Sequence, residues 1–202
     1  MRIGQFGTRF EYSFIISAFA LASASWWLGA SADEAKQTQA SQHMVPASEH
    51  NAQSSDFVRI VRDATRRFRD ARVAMAEGYV AQFGCVSGSD EGAMGLHLVN
   101  GPLVADPTLD VTRPELLVYE PMANGQLRLV AADYLVIKDA WDANNAAPPQ
   151  LMGQLFHLFE SPNRFGLPAF YTLHVWAWKD NPHGTYVNWN PEVSCDQFNP
   201  DN

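Results

Sequence analysis

From residue 57 onward, apolar side chains recur at Phe57, Ile60, Val61, Ala64, Phe68, Ala71 and Met75. Steps of three and four residues place them on one stripe of a 3.6-residue period. Ser54, Ser55 or Asp56 suits an N-cap and Gly78 suits a stop, so the pattern predicts an amphipathic helix over residues 56–78. Arg59, Arg62, Arg66, Arg67, Arg69 and Arg72 fall mostly off the stripe and read as a solvated face paired with Asp63 and Asp70. Downstream the pattern changes to short strand-like runs at 93–100, 115–120 and 126–138. Asn124-Gly125 between the last two suits the positive φ angles of a hairpin turn. Pro102, Pro107 and Pro114 make the segment between the first two a loop. Pro148-Pro149 opens a second helix over 150–159, apolar nearly all round and therefore buried. Residues 169–178 (AFYTLHVWAW) form the strongest strand, and 185–189 return as a short one. The sum is an α+β fold: an antiparallel sheet of about four to five strands, with an N-terminal amphipathic helix and a second short buried helix.

The chain before this region has a different character. Arg2 and Arg9 precede an uncharged run, SFIISAFALASASWWL at 13–28, and then Ala30-Ser31-Ala32. That is the anatomy of a cleaved secretory signal peptide over residues 1–32, implying export to the periplasm or beyond. The run is short of the roughly 20 apolar residues a spanning helix wants, and no transmembrane segment is expected in the mature chain. Residues 33–55, rich in Gln, Ser and Ala, read as a flexible linker, with His43 and His50 as solvated linker residues. Residues 56–202 then form a single domain.

The net charge of -8 argues against nucleic acid and anionic membrane faces as partners. Cys85 and Cys195 are the two cysteines. In an oxidising compartment such a pair usually becomes a disulfide, the alternatives being a thiolate metal pair or a nucleophile.

The string of motifs GYV at 78–80, CV at 85–86, MGLHLVN at 94–100, TRPE at 112–115, YEP at 119–121, GLPAFY at 166–171, LHVWAW at 173–178 and NPEVSC at 190–195 resembles a family of exported bacterial proteins of unknown function. The resemblance covers about residues 78–195. It implies bacterial export and brings no catalytic residue, substrate or cofactor.

The candidate chemistry lies in polar groups placed inside apolar runs. His97, His157 and His174 each sit in one, and Glu120 ends another. A buried imidazole must find a partner. By strand alternation His97 shares a face with Gly95 and Val99, His174 with Thr172, Trp176 and Trp178, and Glu120 with Leu116 and Val118. On the expected second helix, His157 departs from the stripe of Leu151, Leu155 and Leu158. Three imidazoles and a carboxylate would suit Zn, Cu, Fe or Mn, for metal handling or a metal-assisted reaction. Two other readings stand beside this one. One is a metal-free envelope binding module, holding a small apolar or aromatic ligand against Tyr171, Trp176 and Trp178. The other is a structural protein whose histidines are separately satisfied core residues. There is no HExxH, no GxSxG and no glycine-rich phosphate loop, so no reaction and no catalytic residue is assigned. His183, in the turn NPHG, reads as exposed.

Overall fold

The computed structural model describes residues 47–88 and 90–200. The leader read over 1–32, and the linker as far as residue 46, lie outside the described residues. Helix α1, Ala47–Thr65, begins inside the stretch read as linker, so residues 47–55 are helical. Phe57 and Val61 on its stripe are fully buried against the sheet. The helix does not run unbroken to residue 78. A 3-10 turn, Arg66–Arg69, follows it, and Asp70 then takes an extended conformation before α2, Ala71–Ala76. The Asp70 carboxylate accepts from the Arg72 amide at 3.0 Å and caps α2. This reset keeps Phe68 and Ala74 both turned into the core. Gly78, at φ +93°, ends the helical segment as expected. The arginine face is paired: Arg59 and Arg66 with Asp63, Arg67 with Glu77, Arg72 with Asp70.

The chain then builds β1 (Val80–Ser87), β2 (Ala93–Val99), a single helical turn α3 (Gly101–Val104), β3 (Leu116–Pro121) and β4 (Leu127–Ile137). A tight turn joins β3 to β4 as expected, but of the Asn124-Gly125 pair only Gly125 takes a positive φ, at +76°, and the Met122 amide donates to the Gln126 carbonyl at 2.8 Å. A short helix α4 (Lys138–Asp142) follows, then β5 (Gln150–Leu151), β6 (Gln154–Leu155), β7 (His157–Phe159) and β8 (Phe170–Val175).

The main sheet is antiparallel and six-stranded, in the order β1-β2-β3-β4-β8-β7, and curls into a half-barrel. It therefore exceeds the expected four to five strands by the edge strands β1 and β7. β1 carries no alternating pattern because Phe83 and Gly84 both have φ near +65° and bulge the strand. The predicted buried helix over 150–159 is instead a tight β5–β6 hairpin followed by β7. Met152 and Gly153 both take positive φ, as a two-residue hairpin turn demands, and Leu155 and Leu158 are exposed. Residues 185–189 form no strand; the Trp176 amide donates to the Thr185 carbonyl, and Asn190 makes an isolated bridge to Ala93.

Register fixes what each face carries. Leu98, Leu117, Ala132 and Val175 lie in one row across the sheet, on the face packed by α1 and α2. The neighbouring rows, through His97 and Val118 and through Leu116, Asp133 and His174, occupy the opposite face. That face is covered by Phe83, Phe159, Phe165 and Leu167 on one side and by Val193 of the C-terminal tail on the other. A disulfide joins Cys85 in β1 to Cys195 in that tail. No helix among the described residues is long and apolar enough to cross a membrane.

Candidate metal centre

His97, Asp133 and His174 converge on the sheet face away from the helices. Asp133 on β4 stands directly opposite His174 on β8. His97 comes from β2, three strands away from β8. With adjacent strands about 4.8 Å apart, a flat sheet would hold β2 and β8 roughly 14 Å apart. Yet the two imidazole rings lie edge to face with centroids 5.7 Å apart. The curl of the half-barrel brings them together across its concave side.

All three residues are buried, at 3 % exposure or less. One ligand atom from each lies within 4.8 Å of the other two, and this is the group of described residues suited to a metal ion. Asp133 Oδ1 accepts from the Thr172 hydroxyl at 2.5 Å and stands 3.4 Å from His174 Nδ1, without a hydrogen bond between them. His97 Nδ1 and both nitrogens of His174 have no hydrogen-bond partner. Buried polar atoms are ordinarily satisfied, so three orphan imidazole nitrogens beside a carboxylate need a physical reason.

The electrostatics suit ligation. Burial, and then the neighbouring His174, lower the His97 pKa to about 4; burial, and then His157, lower His174 to about 3. Burial raises Asp133 to about 6, opposed by His97 and the Thr172 hydroxyl. Near pH 7 the group therefore presents two neutral imidazoles and one carboxylate, the protonation states a metal requires. At bond lengths of about 2.0 to 2.1 Å, donors on one tetrahedral ion stand roughly 3.3 Å apart, so modest side-chain movement would gather these three.

A cavity touches all three residues. It is about 20 Å³ in volume for the centre of a water-sized sphere, and Met94, Leu116, Leu135, Phe165 and Phe170 supply much of its remaining wall. That is room for one water-sized or ion-sized guest.

The other residues singled out in the sequence lie elsewhere. Glu120 is an ion-pair hub: Arg128 donates to it, Lys179 reaches both its oxygens at 3.1 and 3.2 Å, and the Ser194 amide lies at 3.3 Å. Burial pushes its pKa up, but these partners outweigh burial and hold it below the usual carboxylate range. It does not join the group, and Asp133 supplies the carboxylate in its place. His157 is exposed on the edge strand β7, with Nε2 3.3 Å from the Tyr186 carbonyl. It stands opposite Thr172 in register but remains outside the group. The three aromatics expected around a ligand part company. Tyr171 turns to the helix face and its hydroxyl reaches Asp142. Trp176 stays beside His174 and donates to the Val187 carbonyl. Trp178 donates to the Thr65 hydroxyl, with Arg69 above its ring. Asp133 carried a legible signal, being an acid at the middle of the apolar run LVAADYLVI. The reasoning that singled out the histidines applies to it equally.

Comparison with protein-family models, with curated proteins and with solved structures finds no match to this chain.

Proposed function

We propose that this domain binds a single transition-metal ion through His97, Asp133 and His174, and that it serves metal handling in an exported bacterial protein. The observation that carries the reading is the convergence of one buried carboxylate and two buried imidazoles, three of whose four ring nitrogens have no hydrogen-bond partner. The cavity beside these three residues suits an ion rather than an organic molecule, because pockets for organic ligands run to about 300 Å³ or more. The Cys85–Cys195 disulfide is compatible with an oxidising compartment, as export requires.

Elemental analysis of untagged full-length protein tests the reading. About one equivalent of a transition metal is expected, bound or taken up on titration with Zn(II) or copper. The His97→Ala/His174→Ala double variant should lose that equivalent while keeping its circular dichroism. A wild-type protein that neither contains nor takes up metal overturns the reading.

A further inference from the structure

The three ligands leave open which ion they take. Two features of the surrounding wall bear on that choice, and they are independent of each other.

The first is charge. Among the described residues three acids are buried: Glu115, Glu120 and Asp133. Only Asp133 lines the cavity. Glu115 accepts from the Leu135 amide, and Glu120 is neutralised by Arg128 and Lys179. As metal ligands one carboxylate and two imidazoles bind deprotonated, so this buried donor set carries a single negative charge. A net charge left in such surroundings is costly, so the charge of the guest matters. A monovalent cation makes the assembly neutral, whereas a divalent one leaves an uncompensated positive charge.

The second is softness. Met94, 2 % exposed, lines the same cavity and is the one sulfur-bearing residue of its wall, while the Thr172 hydroxyl, which lines it too, is already donated to Asp133. Thioethers are soft donors and favour Cu(I) among the common metals. Hard cations such as Mg²⁺ and Ca²⁺ require more oxygen donors or retained waters than this cavity admits.

The geometry points to Cu(I) as the resident ion, with the Met94 thioether completing the donor set of His97, Asp133 and His174. This inference rests on the metal-binding reading above and adds the identity of the ion and a fourth ligand. Sequence inspection does not single out Met94, because an apolar methionine in a buried strand is ordinary core material.

The test uses full-length protein under reducing, oxygen-free conditions, with Cu(I) and Zn(II) as separate probes, each in competition with a chromophoric chelator. The wild type is expected to bind Cu(I) at least about tenfold more tightly than Zn(II). Met94→Leu, close in volume, is expected to weaken Cu(I) at least about tenfold and to leave Zn(II) nearly unchanged. X-ray absorption on the Cu(I)-loaded wild type should show a sulfur scatterer in the first shell, a readout independent of how the variant folds. Zn(II) binding more tightly than Cu(I), a Met94→Leu variant with unaltered Cu(I) affinity, or a sulfur-free shell would each overturn the copper assignment and leave the metal-site reading standing. Failure of the wild type to bind either ion would overturn both.

Discussion

Glu115, Glu120 and Asp133 are all buried carboxyls, and their partners give them three different behaviours. Glu120 is fully paired and remains a carboxylate. Asp133 has a hydroxyl donor and two imidazoles beside it. Glu115, 1 % exposed, accepts a hydrogen bond from the Leu135 amide and forms no ion pair among the described residues. Burial therefore dominates and pushes its pKa to about 8, only partly opposed by backbone hydrogen bonds. In the unfolded chain the same group titrates near the ordinary glutamate value. Between the two values the folded protein holds a proton that the unfolded chain has lost, so stability falls as pH rises. The contribution is fully present below about pH 4.5 and is lost as pH rises through about 8. Glu115→Gln keeps an acceptor for the Leu135 amide and removes the titration. Urea midpoints at pH 5 and pH 8.5 should fall with pH more steeply for the wild type than for the variant. Taking the difference between the two proteins cancels the opposing titrations of His97 and His174. Parallel pH dependences would show that Glu115 does not couple to folding.

At the scale of elements, one of the sheet's register shifts falls in β2, between Ala93 and Gly95. Gly95 sits there at φ +112°, and a Cβ on it would meet the Tyr119 carbonyl oxygen at 2.7 Å and Val118 Cγ1 at 3.0 Å. Both obstacles belong to β3, so neither can swing away without disturbing the strand that separates His97 from Asp133. Gly95→Ala is therefore expected to destabilise the fold by about 1 to 3 kcal/mol, read as a lower urea midpoint. Gly101→Ala, at the start of α3 with nothing within 4 Å, should change it by no more than about 0.5 kcal/mol. Equal effects at the two sites would contradict the packing argument. The same elements explain what the sequence could disclose. β2, β3, β4 and β8 were legible because long apolar runs and an Asn-Gly turn mark them locally. Residues 150–159 were not, because an apolar run of that length suits a buried helix as well as two short strands, and Met152-Gly153 at the turn decided the outcome. His97 and His174 were legible as polar groups in apolar strands. Their convergence with Asp133 depends on the curl across β2, β3, β4 and β8, which local periodicity does not encode.

At the scale of the molecule, the C-terminal tail is held by few regular interactions. Beyond the Ala93–Asn190 bridge it joins no sheet, yet Val193 is buried among Ala93, Val118, Val130 and Trp176. The Glu120 contact to the Ser194 amide and the Cys85–Cys195 disulfide fasten it across the sheet. The bridge closes a sequence separation of 110 residues, spanning nearly the whole strand region. Constraining so long a loop in the unfolded chain is worth about 4 to 5 kcal/mol on the chain-entropy model. A domain of this size is stable by about 5 to 15 kcal/mol, so the bridge supplies a large share of the margin. Cys85→Ser/Cys195→Ser is therefore expected to lower the unfolding free energy by about 4 kcal/mol. Amide exchange should accelerate first in the tail around Val193 and in β1, the two segments the bridge connects. The proposed metal ligands lie on β2, β4 and β8, outside both segments. The variant should therefore still take up its equivalent of metal under native conditions, and added metal should recover part of the lost stability, because an ion bound only by the folded state shifts the equilibrium toward it. An unchanged urea midpoint would show that tail packing alone holds this face. Loss of metal uptake in a variant that remains folded would mean that the tail, and not the sheet alone, positions the site.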